Sequence, residues 1–90
     1  MPTIIRVSVG IITHGAQILI CQRRSTDLHA SQWEFPGGKA LDTEDDAACL
    51  HRELQEELHI TATIGEMLEQ TIHSYPNGRT VALTFFHALT

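Results

Sequence analysis

From Ile4 to Thr13 the chain reads IIRVSVGIIT, a run dense in β-branched side chains that predicts a strand. His14-Gly15-Ala16 reads as a turn, and Gln17 to Arg23 (QILICQR) as a second strand. The two strands are expected to form a hairpin. Arg24 to Gln32 is polar and aperiodic, hence a loop. Trp33-Glu34-Phe35 reads as a short strand, stopped by Pro36 and a turn at Gly37-Gly38.

After the glycines the period changes. Ala47, Leu50, Leu54 and Leu58 recur at spacings of three and four, the stripe of an amphipathic helix. Thr43 with Asp46 three residues on resembles a capping box, which predicts a helix start at Thr43. Asp42, Glu44, Asp45 and Asp46 put negative charge in or before the first turn, where the helix dipole favours it. Ile60 to Ile72 reads as one strand, or two short ones broken near Gly65. Pro76-Asn77-Gly78 is a turn in which Asn-Gly tolerates positive φ at both positions, and Arg79 to Leu89 returns as a strand. Strands around one helix predict a single α/β (α+β) domain over residues 1–90.

Composition narrows the classes. The chain has 90 residues, 42% of them hydrophobic, which fits one ordinary globular domain. A net charge of −5 argues against a binder of nucleic-acid polymer, which would carry a basic patch. A free nucleotide is a different ligand, because a metal ion can offset its phosphates. Cys21 and Cys49 lie in no C-x-x-C or zinc frame and read as buried thiols rather than a disulfide. No apolar run approaches membrane-spanning length, so the expectation is a soluble, cytoplasmic protein with no membrane partner.

The helix carries the candidate chemistry. At about 100° per residue, Glu53, Glu56 and Glu57 share roughly 100° of arc on one face, beside the apolar stripe. Like charges that close repel on a bare helix, and a set of oxygen donors suits a hard divalent ion such as Mg²⁺ or Mn²⁺. Alone, an E-x-x-E-E run is more often a solvated face.

The run does not stand alone. Gly38, Glu44, Arg52-Glu53, Leu54, Glu56-Glu57 and Ile60 stand at the spacing G-x5-E-x7-R-E-U-x-E-E-x-G-U, where U is a bulky aliphatic. That pattern resembles the signature of the Nudix hydrolases. One fixed position departs: His59 stands where the family has glycine. That position often adopts the left-handed conformation, which histidine can reach at a cost of about 1 kcal/mol. The alternative is a shifted helix end and a weaker site. The flanks Gln22-Arg23-Arg24, His29 and Trp33-Glu34-Phe35-Pro36-Gly37-Gly38-Lys39 are similar to the MutT-type branch.

The resemblance implies a Nudix fold, a mixed sheet packed on the signature helix. It implies Mg²⁺-dependent hydrolysis (Mn²⁺ as alternative) of oxidised purine nucleoside triphosphates such as 8-oxo-dGTP to monophosphate and pyrophosphate. Glu53, Glu56 and Glu57 would hold the metal with a main-chain carbonyl of Gly37 or Gly38. Glu53 is the first choice of general base and Glu56 the second. Arg24, His29 and the segment Glu34-Phe35-Pro36-Gly37 would meet the nucleotide. For the arginines the competing reading is surface charge, for His29 a plain loop residue, and for Trp33 and Phe35 alternate core and surface positions of a strand. Arg52 reads as structural, pairing with Glu44 to shape the loop.

The chain is shorter than typical members, about the N-terminal two-thirds of such a domain, and is expected to lack the C-terminal strands and helix. Two other readings stay open: a pyrophosphohydrolase of pyrimidine nucleotides or nucleotide-sugars, and an inactive binding or assembly module. An unpaired edge at Arg79 to Leu89 would permit a homodimer.

Overall fold

The structure is a computed structural model, and it describes residues 3–22 and 32–90. Among the described residues, seven strands and one helix follow in the order β1 (Thr3–His14), β2 (Gln17–Ile18), β3 (Cys21–Gln22), β4 (Trp33–Glu34), β5 (Gly37–Lys39), α1 (Asp46–Leu58), β6 (Thr63–Ser74) and β7 (Arg79–Leu89). The main sheet runs β2-β1-β7-β6, with β5 also on β1, and β3 and β4 form a separate pair. β1 and β7 are parallel from Thr3↔Arg79 to Thr13↔Leu89. The sheet is therefore mixed, as expected.

The first hairpin is shorter than the sequence predicts. β1 and β2 share only the pairs Thr13↔Ile18 and His14↔Gln17. The reason is competition for one edge. Farther along it Pro36 accepts from the Gly10 amide, and β5 pairs Val7 to Val9 of β1 with Lys39 to Gly37. The chain beyond Leu19 has no room there, and Cys21–Gln22 pairs with β4 instead. By the same contact the diglycine is a strand, not a turn. Gly37 is required because a Cβ there would collide with the backbone carbonyl of Ser8.

The helix starts at Asp46, later than the expected Thr43. Asp45 is the N-cap and accepts from the Ala48 amide at 2.7 Å. The residues before it are committed elsewhere: the Glu44 amide donates to the Leu41 carbonyl, and the Glu44 carboxylate receives the Leu41 amide. That turn holds 41–44 out of the helix. The other end falls where the signature places it. His59 sits at φ 56°, ψ 32°, left-handed, and the Ile60 amide then reaches back to the Leu54 carbonyl. The substitution leaves the terminus in place rather than shifting it.

Ile60 to Ile72 resolves into one strand, β6, with register shifts on either side of Met67. The predicted break near Gly65 is thus a bulged stretch, where a Cβ would come within 3.0 Å of the His87 carbonyl. The Pro76-Asn77-Gly78 turn is present, but only Gly78 has positive φ. The expected free edge at Arg79 to Leu89 is not there. β7 is a central strand, paired with β1 on one side and β6 on the other. A strand paired twice offers no ladder to a second copy.

Leu50 and Leu54 of the predicted stripe are fully buried with Ile12, Ala62, Phe86 and Ala88, and Ala47 and Leu58 pack against them. This core fixes α1 across β1 and β7. Burying each leucine contributes about 1.5–3 kcal/mol, enough to set the helix rotation and turn its acidic flank toward β5. No helix among the described residues is long and apolar enough to cross a membrane. Both cysteines are free, Cys49 buried and Cys21 only partly so.

Candidate active site

Helix rotation and the close approach of β5 define the site. With Leu50 and Leu54 inward, Arg52 and Glu53 project along the flank that meets Gly37–Lys39. The Glu53 carboxylate lies on Gly38 so closely that a Cβ there would overlap it. Gly38 is a cradle for that carboxylate, and its carbonyl receives the Cys49 thiol at 3.5 Å.

Arg52 organises the flank. Its Nε donates to Glu44 Oε2 at 3.0 Å and its Nη2 to Glu44 Oε1 at 2.6 Å. Nη2 also donates to the Lys39 carbonyl at 3.0 Å, while Nη1 reaches Glu53 Oε1 at 2.9 Å and Glu56 Oε2 at 3.1 Å. One guanidinium thus joins β5, the 41–44 turn and two acids of the helix. The Glu44 carboxyl is held down to about 2, first by its hydrogen bonds from Arg52 and then by the Leu41 amide. Hydrogen bonds to Glu44, and then to Glu53, push the Arg52 guanidinium upward. Both stay ionised across physiological pH.

Beside this cluster lies a cavity of about 630 Å³ whose lining includes Glu34, Phe35, Gly37, Gly38 and Glu57, with Val7, Val9 and Leu83 from the sheet. Of the predicted nucleotide contacts, Glu34, Phe35 and Gly37 line it, and buried Pro36 joins them in sequence. Trp33, 62% exposed, does not. Arg24 and His29, like Arg23, fall outside the described residues. Burial raises the Cys21 thiol on the cavity wall, with the charges of Glu57 and Glu34 adding to it.

The three metal-ligand candidates are divided between two neighbours. Glu53 and Glu56 turn to Arg52, whereas Glu57 lines the cavity with both glycines. Among the described residues no three His, Cys, Asp or Glu side chains converge as a metal shell. The donor chemistry nonetheless fits a hard divalent cation: carboxylates and main-chain carbonyls at one helix flank, with a glycine cradle under Glu53.

Arg6 binds the segment before the helix, and little in the sequence singles it out. A lone cation among β-branched residues is its only signal. Its partners lie on the 41–46 segment, which no sequence spacing connects to β1.

The NUDIX domain family model matches residues 4–90. An 8-oxo-dGTP diphosphatase of Proteus vulgaris is 36% identical over 83 residues, covering 91% of this chain and 73% of that protein. A CTP pyrophosphohydrolase of Escherichia coli K12 is 39% identical over 83 residues, covering 92% and 61%. The solution structure of the E. coli ORF135 protein superposes with a TM-score of 0.83 at 37% identity, covering 96% of this chain and 61% of that one. The fold and the signature helix define a Nudix-type hydrolase domain. This chain belongs to the Nudix family. It spans less than two thirds of the CTP pyrophosphohydrolase and of the ORF135 protein.

Proposed function

We propose that the protein hydrolyses nucleoside triphosphates to monophosphate and pyrophosphate with Mg²⁺ as cofactor, and that oxidised purine nucleotides such as 8-oxo-dGTP are its substrates. The observation that carries this reading is the seat of Glu53 on Gly38 beside a cavity walled by Glu34, Phe35 and Glu57. The similarity to the Proteus diphosphatase supports the purine choice. The similarity to a CTP pyrophosphohydrolase supports a second reading, in which a pyrimidine triphosphate takes the same place.

Glu53, Glu56 and Glu57, with a carbonyl of Gly37 or Gly38, would hold the cation. When bound it neutralises phosphate charge and lowers the pKa of water in its shell. The chain does the rest. Glu53 takes the proton from the attacking water, with Glu56 as the alternative base. Arg52 keeps the Glu53 carboxylate oriented. Phe35 offers an apolar wall to the base and Glu34 a carboxylate to its polar edge. Such an enzyme clears damaged nucleotides from the cytoplasmic pool.

Nucleotides assayed with Mg²⁺ for pyrophosphate release separate the readings. Faster turnover of 8-oxo-dGTP than of dGTP and CTP is expected; a preference for CTP selects the second reading.

A further inference from the structure

We propose that Arg6 is a positioning residue: from β1 it fixes the 41–46 loop so that Glu44 meets Arg52. This rests on the reading of Glu53 and Arg52 given above.

Arg6 points out of β1 toward the helix N-terminus. Its Nη1 donates to Asp46 Oδ1 at 2.8 Å, and its Nη2 donates to the carbonyls of Leu41 at 2.8 Å and Glu44 at 2.9 Å. Those two carbonyls bound the turn whose interior bonds are Glu44 N–H to Leu41 O and Leu41 N–H to Glu44 Oε1. Arg6 therefore closes the turn from outside while Arg52 holds its carboxylate from the other side. Neighbouring bonds tie the same segment to β1 and β7. The Ala40 amide donates to the Arg6 carbonyl at 2.8 Å, Ser8 Oγ to the Asp46 carbonyl at 2.7 Å, and Thr84 Oγ1 to Asp46 Oδ2 at 3.4 Å.

The chemistry asks for arginine. Two nitrogens of a planar fork serve a carboxylate and two carbonyls at once, whereas a lysine ammonium offers its donors from one nitrogen and cannot span the same partners. Without the fork the Leu41 carbonyl keeps only its turn bond, and the Glu44 carbonyl loses this side-chain donor. Glu44 then leaves the geometry that Arg52 requires, and Glu53 loses its fixed orientation. Arg6 does not line the cavity, so substrate binding itself is untouched.

The test uses the full chain as wild type, Arg6→Ala, Arg6→Lys and a Leu58→Ala control that loosens the core. Amide hydrogen exchange is read without metal or substrate. In Arg6→Ala the Leu41 and Glu44 amides should exchange about tenfold or more faster while the β6–β7 ladder changes by less than about threefold. Lysine should restore little of the protection. Leu58→Ala should instead speed turn and ladder amides together, without that contrast. In turnover, Arg6→Ala should lower kcat by about tenfold with KM within about twofold. Unchanged turn amides in Arg6→Ala, a uniform rise across all amides, or full rescue by lysine would each overturn the role. If wild type turns over no nucleotide, the functional reading fails while the exchange contrast still judges the placement of Arg6.

Discussion

Arg52 holds Glu44 through two parallel bonds, Nε to Oε2 at 3.0 Å and Nη2 to Oε1 at 2.6 Å, and gives its remaining nitrogen to Glu53 and Glu56. A bidentate pair of this kind fixes direction as well as distance. The guanidinium is thereby a spacer between the turn before the helix and the acids on it. Replacing Arg52 with Ala should reduce turnover by about 10–100-fold, the usual effect of removing a partner that orients a ligand. Steady-state kinetics on a variant with native circular dichroism checks this; unchanged kcat would refute the orienting role.

Glu44 should leave its mark on acid stability. Its carboxyl lies at about 2 in the folded protein, below its ordinary value of 4.5. A depressed folded value means that the group stabilises the fold above the ordinary value and that this contribution disappears as pH falls from about 4.5 to about 2. Glu44→Gln should flatten the stability curve across that window relative to wild type. Urea melts at stepped pH measure it, and two parallel curves would show that Glu44 is not the group responsible.

Gly38 and Gly37 should fail in different ways. A methyl at Gly38 meets the far end of the Glu53 side chain, which can swing aside. Gly38→Ala should then keep its melting temperature within a few degrees and lose about tenfold or more in turnover, because Glu53 leaves its seat. A methyl at Gly37 meets the fixed carbonyl of Ser8. Gly37→Ala should lose stability itself, and calorimetry beside kinetics on both variants separates the two cases.

Much of this was legible in the chain and some was not. The helix stripe Ala47, Leu50, Leu54, Leu58 is local periodicity, and its core role follows from that. Arg79 to Leu89 is likewise a strand with the expected bounds. Its central position is not local information, since it depends on β1 claiming one side across most of the chain length. The same holds for β5: nothing near Gly37-Gly38 says that Ser8 lies behind it. The helix starts at Asp46 rather than Thr43 because the acidic stretch offers two caps, Thr43 and Asp45. The choice between them is made by Arg6, Arg52 and Leu41 binding Glu44 from three directions. The signature spacing marked Glu44, Arg52 and Glu53 as a set, and the structure joins them by hydrogen bonds.

His59 offers a stability test with a sign. Its left-handed backbone, φ 56° and ψ 32°, is uncomfortable for a side chain with a Cβ. His59→Gly should stabilise the fold by about 1 kcal/mol, with the helix end unchanged. Denaturant melts report it, and a loss of stability would mean that the imidazole makes a contribution larger than the strain.

The most direct test is a comparison of wild type with Glu53→Gln, both folded, assayed for pyrophosphate release from 8-oxo-dGTP in the presence of Mg²⁺. Rapid release by wild type and a fall of about 100-fold or more in the variant is the expected result, since the amide can neither take the proton nor bind the ion as strongly. Equal rates from the two proteins would contradict the place given to this carboxylate.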